Sequence, residues 1–400
     1  MQKVSKLHPL VICLLTGTFL SRLALFITLP YLSIYITSKM GASPAMTGVV
    51  VGLGPLCGII NAFLMGFISD KIGRRKILEY SLLVWSLAFL GFAFSTSLWQ
   101  FAVFNMLYGA SRSSFESVAT AFIADITDET NRKRVFHLRY FFINLAASFA
   151  PLIGVWILLK HPALGFSITA GVYFLYFIAL YLCMQKWHVP VERDTKAINL
   201  KSVLNVMATD RPLLLFMFGN FLMLLGFSQL ETNLPQHLNF LFGNEGIKLY
   251  SYTMMTNGLT IVFFQFLINR WTKNIDLALI SMVGFFIFSI GLAGFGIFEN
   301  VAPMFIVSMF VVSIGEILVF SNSYLLIDKI GPQHLKGSYF GITELCNLGF
   351  VLGPSLGGII LQQSSGQIMF PILASLSIVS IGSFILGNRL HQRKLAPAQI

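Results

Sequence analysis

Gly66-Phe67-Ile68-Ser69-Asp70-Lys71-Ile72-Gly73-Arg74-Arg75-Lys76 lies between two apolar runs, near residues 45–68 and 77–95. Each run is long enough to cross a bilayer. One acid and four bases in so short a stretch cannot sit in hydrocarbon, so it reads as a tight loop in water. The bases Lys71, Arg74, Arg75 and Lys76 put that water on the cytoplasmic side.

The same pattern repeats along the chain. Of 400 residues, 56% are hydrophobic and only 11% charged, against about a quarter charged in an ordinary soluble domain. The formal charge of +11 does not point to nucleic acid, because the bases sit in short turns between apolar runs and form no patch. Cys13, Cys57, Cys183 and Cys346 lie singly inside apolar segments, which argues against a disulfide framework or a metal site. Lys3 and Lys6 precede an apolar run that continues to about residue 37 without a small-residue cleavage site, so a retained first helix is expected rather than a signal peptide.

Twelve spans follow, near 9–37, 45–68, 77–95, 99–124, 135–157 and 164–185, then 212–240, 249–268, 277–297, 303–327, 336–361 and 367–388. With the N-terminus inside, Lys39, Lys160 and Lys248 alone of the 27 Lys and Arg fall in outer loops, and Arg22, Arg112 and Arg139 fall within spans. Both termini are therefore expected in the cytoplasm. The long polar stretch 186–211 reads as a cytoplasmic linker between a six-helix bundle of residues 1–185 and a second of 212–400 with a short basic tail.

An internal repeat supports that division. Asn144-Leu-Ala-Ala-Ser-Phe-Ala-Pro151-Leu-Ile-Gly154 returns as Asn347-Leu-Gly-Phe-Val-Leu-Gly-Pro354-Ser-Leu-Gly357, 203 residues on, and Asp125 and Asp328 share the offset. Asn269-Arg-Trp-Thr-Lys273 reads as a worn copy of the 66–76 stretch. Two such halves imply a pseudo-twofold axis along the membrane normal and a substrate cavity between them. Gly349, Gly353 and Gly357 form a stripe on helix eleven, and Ala146, Ala150 and Gly154 a lesser one on helix five; with Pro151 and Pro354 these mark helix packing or hinge positions.

The order G-x-x-x-D-x-x-G-R-R-K, on Gly66, Asp70, Gly73, Arg74 and Arg75, resembles the signature loop of the major facilitator superfamily of secondary transporters. The resemblance implies an all-α membrane protein of twelve transmembrane helices in two pseudo-symmetric bundles. It also implies a cytoplasmic gate, with Asp70 approaching the start of helix eleven near Lys336 and Arg74 approaching Asp125. Helices one, four, seven and ten line the central path in this family. Segments such as Gln229-Leu-Glu231-Thr-Asn-Leu-Pro235-Gln-His237-Leu and Ile314-Gly-Glu316-Ile further resemble proton-coupled multidrug antiporters. Arg22 with Pro30-Tyr-Leu-Ser-Ile-Tyr35 is similar to bacterial exporters of dipeptides and small metabolites.

Charges inside the spans are the candidate site. A charge at mid-membrane costs at least ~2.5–3.5 kcal/mol, so it faces a cavity or a partner. Arg22, Arg112, Glu116, Glu231 and Glu316 fall on helices one, four, seven and ten and are taken as cavity residues. Arg112 and Glu116 are one turn apart, so mutual pairing is the competing reading. Arg139 and Glu344, nearer span ends, suit snorkelling to water. Glu316 first, then Glu231, are the candidate proton carriers, because neither has a cation close in sequence; Glu116 is a third.

A proton moving inward through ~100 mV releases roughly 2.3 kcal/mol, enough for a concentration ratio near fifty. No GxxxxGK[ST] motif offers ATP coupling, and no HExxH or GxSxG motif suggests an enzyme. The expected function is a proton-coupled exporter of amphipathic small molecules in a bacterial inner membrane, monomeric, with substrate, protons and lipid as partners and no cofactor, metal or nucleic acid. The alternative is a carrier of a defined anionic metabolite, peptide or siderophore, with Arg22 and Arg112 as carboxylate clamps.

Overall fold

A computed structural model of the chain describes residues 7–158, 161–187, 209–331, 339 and 342–395. Among these, every regular element is helical: α1 (Pro9–Met40), α2 (Pro44–Ile72), α3 (Arg74–Phe94), α4 (Leu98–Asp125), α5 (Glu129–Leu158), α6 (Pro162–Lys186), α7 (Arg211–Phe227), α8 (Gln229–Thr272), α9 (Leu277–Ile297), α10 (Ala302–Ile330), a 3-10 turn (Glu344–Asn347), α11 (Leu348–Gln363) and α12 (Gly366–Leu395).

Local chemistry sets many of the boundaries. Proline opens α1, α6, α7 and α10 within their first turn, where its missing N–H has no helical partner to lose. Asp276 caps α9, accepting from Ala278 N at 3.0 Å and Leu279 N at 3.2 Å. The 66–76 stretch is not an open loop. The helix of α2 runs through it to Ile72, and the chain turns at the single residue Gly73, whose φ of +91° an L side chain rarely adopts. The apolar run of α2 ends near Ile68, ahead of Asp70 and Lys71, so hydropathy located the edge of the hydrocarbon and not the end of the helix. Gly243, at φ +57° and ψ −132°, likewise breaks α8, so its first part continues α7 and its second is a separate helix. The expected start of helix eleven near residue 336 lies outside the described residues; Ile342 and Thr343 are helical and run into the 3-10 turn at Glu344–Asn347.

Ten stretches of the described residues are long and apolar enough to cross a membrane. One of them, Arg211–Thr272, has 62 residues, about 93 Å of helix, or more than twice one crossing. α4 is outside the ten; its Asn105, Ser111, Arg112 and Glu116 lower its hydropathy.

The chain divides into two compact units, one of residues 1–42 and 53–196, the other of 43–52 and 197–400. In the first, α1 packs on α5 and α6, and α3 on α4 and α6. Its centre is Trp85, stacked on Tyr173 at 4.3 Å, with Phe89 and Phe92 alongside. In the second, α7 packs on α11 and α12, and α9 on α10 and α12, about a core of Phe285, Phe288, Phe295, Phe370 and Phe384. The neighbours of α1 and α3 in the first unit thus correspond to those of α7 and α9 in the second, in keeping with the sequence repeat.

The repeat extends to polar detail. Tyr31 of α1 donates its hydroxyl to Pro151 O of α5 at 2.9 Å. Asn233 of α8 donates Nδ2 to Pro354 O of α11 at 3.1 Å, beside Gln229 Nε2 donating to Gly353 O at 2.9 Å. In both α5 and α11 a carbonyl at or next to the proline is engaged by a side chain of a neighbouring helix. The small-residue stripes sit at these contacts: a Cβ on Gly154 would meet Tyr31, and one on Gly349 would meet the α7 backbone at Leu225 N and Phe221 O, 2.7 Å away.

Candidate functional site

In the first unit, α1, α4 and α5 bring three charged side chains together. Glu116 Oε2 accepts from Arg139 Nη2 at 2.6 Å, and its Oε1 accepts from Arg22 Nη2. Arg139 Nη1 also donates to Thr120 Oγ1, one turn along α4, at 2.7 Å. The guanidinium-bearing side chains are 9% and 11% exposed, that of Glu116 27%. The local Arg112–Glu116 pair, the competing reading from spacing, is not the bond that forms: Arg112 Nη1 donates to Tyr108 OH at 3.1 Å, although its charge still acts on Glu116. Nor does Arg139 reach out to water. It is buried, and its second bond to Glu116 explains how a guanidinium persists there. Three guanidiniums therefore share the neighbourhood of one carboxylate.

In the second unit, Glu316 of α10 is buried, and its Oε2 accepts from Asn257 Nδ2 of α8 at 2.6 Å. Asn257 also donates to Ser313 Oγ at 3.0 Å, one turn before Glu316. No Lys, Arg or His nitrogen of the described residues lies within ion-pair range of Glu316. Glu231 lies close enough for its charge to act on Glu316. Glu344 is exposed at the start of the 3-10 turn and accepts from Asn347 Nδ2 at 2.8 Å.

The signature stretch ties one end of the first unit. Arg74, opening α3, pairs with Asp125, closing α4. Arg75 Nε donates to Glu79 Oε1 at 2.7 Å, its Nη1 to Met184 O of α6 at 3.2 Å, and its guanidinium lies over the Tyr181 ring. Gly66 and Asp70 are in the helical part of α2, but the side chains of 66–72 and all of residue 336 are outside the described residues, and the expected Asp70 contact falls there. The second unit has a counterpart with the charges exchanged: Asp276 opens α9, and Lys329 near the end of α10 reaches it at 3.4 Å.

Three polar groupings were not found from sequence. Asn257 had a signal, a lone amide in an apolar run. Tyr339 donates its hydroxyl to Asp210 Oδ2, the N-cap residue of α7. Burial, then the Asp210 carboxylate, hold the Tyr339 hydroxyl well above the usual phenol range. His237 and Glu299 face one another at 3.2 Å. Residues so far apart in the chain carry no local signature.

Long apolar helices with a few charges bonded to one another inside them define an integral membrane protein, and the comparisons with known proteins say which. The family model described as Major Facilitator Superfamily matches residues 14–347. The chain belongs to that family, one of transporters and not of enzymes. The "Uncharacterized MFS-type transporter YqjV" of Bacillus subtilis (strain 168) is 33% identical over 400 residues, covering 99% of this chain and 97% of its own. A "Na(+), Li(+), K(+)/H(+) antiporter" of Planococcus maritimus is 23% identical, covering 85% and 87%. A "Multidrug resistance protein MdtH" of Cronobacter sakazakii (strain ATCC BAA-894) is 24% identical, covering 96% and 95%. Among solved structures, a mutant form of the nucleoside transporter NupG matches with TM-score 0.79 at 14% identity, covering 94% of this chain and 99% of that one. At that identity the likeness speaks for the fold alone.

Proposed function

We propose that the protein is a proton-coupled exporter of amphipathic small molecules, working by alternating access, with Glu316 as the proton carrier and Glu231 second. The observation that carries this reading is Glu316 itself. It is a buried acid on a membrane helix, bonded to the neutral Asn257 and set near another acid rather than a cation. A carboxyl in such a setting is suited to gain and lose a proton during a transport cycle. The relatives named for multidrug resistance and for cation/proton antiport support the same reading. Glu116, bridged by two arginines, serves as a fixed counter-ion in place of the proton-coupling role expected from sequence. The reading includes twelve crossings, cytoplasmic termini, a monomer in a bacterial inner membrane and a gate that uses Asp70, Arg74 and Asp125.

A second reading has its own observation. Arg22, Arg112 and Arg139 outnumber Glu116, and an excess of positive charge within a membrane unit favours an anionic group on the substrate. Liposomes with an imposed pH gradient separate the two when challenged with cationic, neutral and anionic amphiphiles. The first reading expects gradient-driven flux of cationic and neutral dyes, lost in Glu316→Gln while dye binding persists. Flux restricted to anions selects the second. Full pH coupling in Glu316→Gln removes that residue from the mechanism.

A further inference from the structure

His237 sits two residues after Pro235 on α8, with its side chain 3% exposed. Glu299, 10% exposed, lies in the turn between α9 and α10. The Nε2 of one is 3.2 Å from the Oε2 of the other, and neither atom has another hydrogen-bond partner among the described residues. The start of α12 closes the site. Gln367 bonds to Glu299 through both side chain and backbone, and a Cβ on Gly366 would collide with the His237 ring. The rings of Phe370 and Phe305 stand 5.6 and 6.5 Å from the imidazole.

The elements around the pair bring no other charge near it. α9 has no titratable side chain over 277–297. α10 has none between its start and Glu316, and α12 none between Gly366 and Arg389. On α8, Glu231 lies six residues back, while Glu245 and Lys248, beyond the break at Gly243, bond to each other at 2.6 Å. The pair is thus isolated, and its charge is decided by its own protons. With a neutral imidazole and an ionised carboxylate it is a buried monoanion, which is costly. One added proton makes it neutral, whichever of the two groups carries it, and removes that cost. Burial also pushes the Glu299 carboxyl up from its ordinary range, against the opposing bonds from Gln367.

We propose that His237 and Glu299 form a proton-binding site separate from Glu316, in which the bound proton ties α8 to the turn before α10 and to the start of α12. Glu316 lies about 21 Å further along α10 from Ala302. The site does not depend on which substrate the protein carries, so its test stands whether or not Glu316 couples transport.

The test uses the full-length protein in detergent. Unfolding midpoints are measured from about pH 5 to about pH 9 for wild type, His237→Gln, Glu299→Gln and the double variant. The expected coupling between the two substitutions is largest at the acid end and falls at least about twofold toward the alkaline end. Coupling that is zero throughout, or the same at both ends, overturns the proposal. Should Glu299→Gln not fold, nitrogen-15 histidine spectra give a second reading, with the His237 signal assigned as the one missing from His237→Gln. That signal is expected to titrate, and Glu299→Asp to move its midpoint by about one pH unit, a tenfold change in proton affinity. A His237 signal that keeps one protonation state across the range, or ignores Glu299→Asp, also overturns it.

Discussion

Arg139 Nη2 lies 2.6 Å from Glu116 Oε2, so a base from α5 and the base Arg22 from α1 hold opposite oxygens of one carboxylate on α4. Removing the acid leaves two guanidiniums facing each other with no counter-ion between them. Breaking a fully buried pair costs about 3–5 kcal/mol, and the partial exposure of Glu116 lowers that to about 2–4. Glu116→Gln is therefore expected to lower the unfolding midpoint in detergent markedly, as is Arg139→Met, while pH-gradient coupling survives in whatever protein folds. A Glu116→Gln variant as stable as wild type would show the bridge to be an idle surface contact.

That pairing was only half legible in the sequence. Hydropathy placed Arg22, Arg112 and Glu116 inside spans, and helical spacing offered Arg112 as the partner of Glu116. Tertiary packing decides otherwise: Arg112 turns back one helical turn to Tyr108, and bases from two other helices take the acid. Which face a side chain takes on a membrane helix depends on neighbours far off in the chain, as with Asn233 and Pro354. The repeat and the Gly73 turn were legible because each leaves a local trace. A long helix that outruns its apolar core, as α2 does, was not.

The Glu316–Asn257 pair yields a prediction about stability that is separate from transport. Asn257→Leu strands a buried carboxyl oxygen and is expected to cost about 1–3 kcal/mol. Replacing both partners, with Glu316→Leu added, restores most of that, because two apolar groups leave nothing unsatisfied. The double variant is then folded yet has lost pH-driven flux. Unfolding curves and flux on the same preparations check this; a double variant less stable than Asn257→Leu would contradict it.

Glycine positions separate packing from plain helix propensity. A Cβ on Gly353 would collide with Ser228 Oγ and lie 2.7 Å from Leu225 O, and one on Gly357 would lie 2.5 Å from Asn233 Nδ2. Alanine at either position is expected to cost about 1–3 kcal/mol by forcing α11 off α7 and α8. Gly382 on α12 has nothing within 4 Å of its would-be Cβ, so alanine there gains up to about 1 kcal/mol of helix propensity. Midpoints of the three variants, ranked, are the check; Gly353→Ala at or above Gly382→Ala would contradict the close contact.

Tyr339 makes stability depend on pH at the alkaline end. Its hydroxyl is buried and donates to Asp210, so the folded chain keeps the phenol proton at a pH where the unfolded chain, near pH 10, has begun to release it. The folded state then binds more protons than the unfolded state, and stability falls as pH rises. The contribution is fully present below about pH 10 and is lost above it. Tyr339→Phe removes the hydrogen bond, at about 1.5–3 kcal/mol for a bond to a charged acceptor. Wild type is thus expected to exceed Tyr339→Phe by that margin near neutrality, and the gap to narrow as the pH passes about 10. Other tyrosines and lysines titrate in both proteins, so the difference between them isolates Tyr339. A gap that stays constant to about pH 11 would mean the hydroxyl has no ionisation linked to folding, and that Tyr339 meets Asp210 by some contact other than this hydrogen bond.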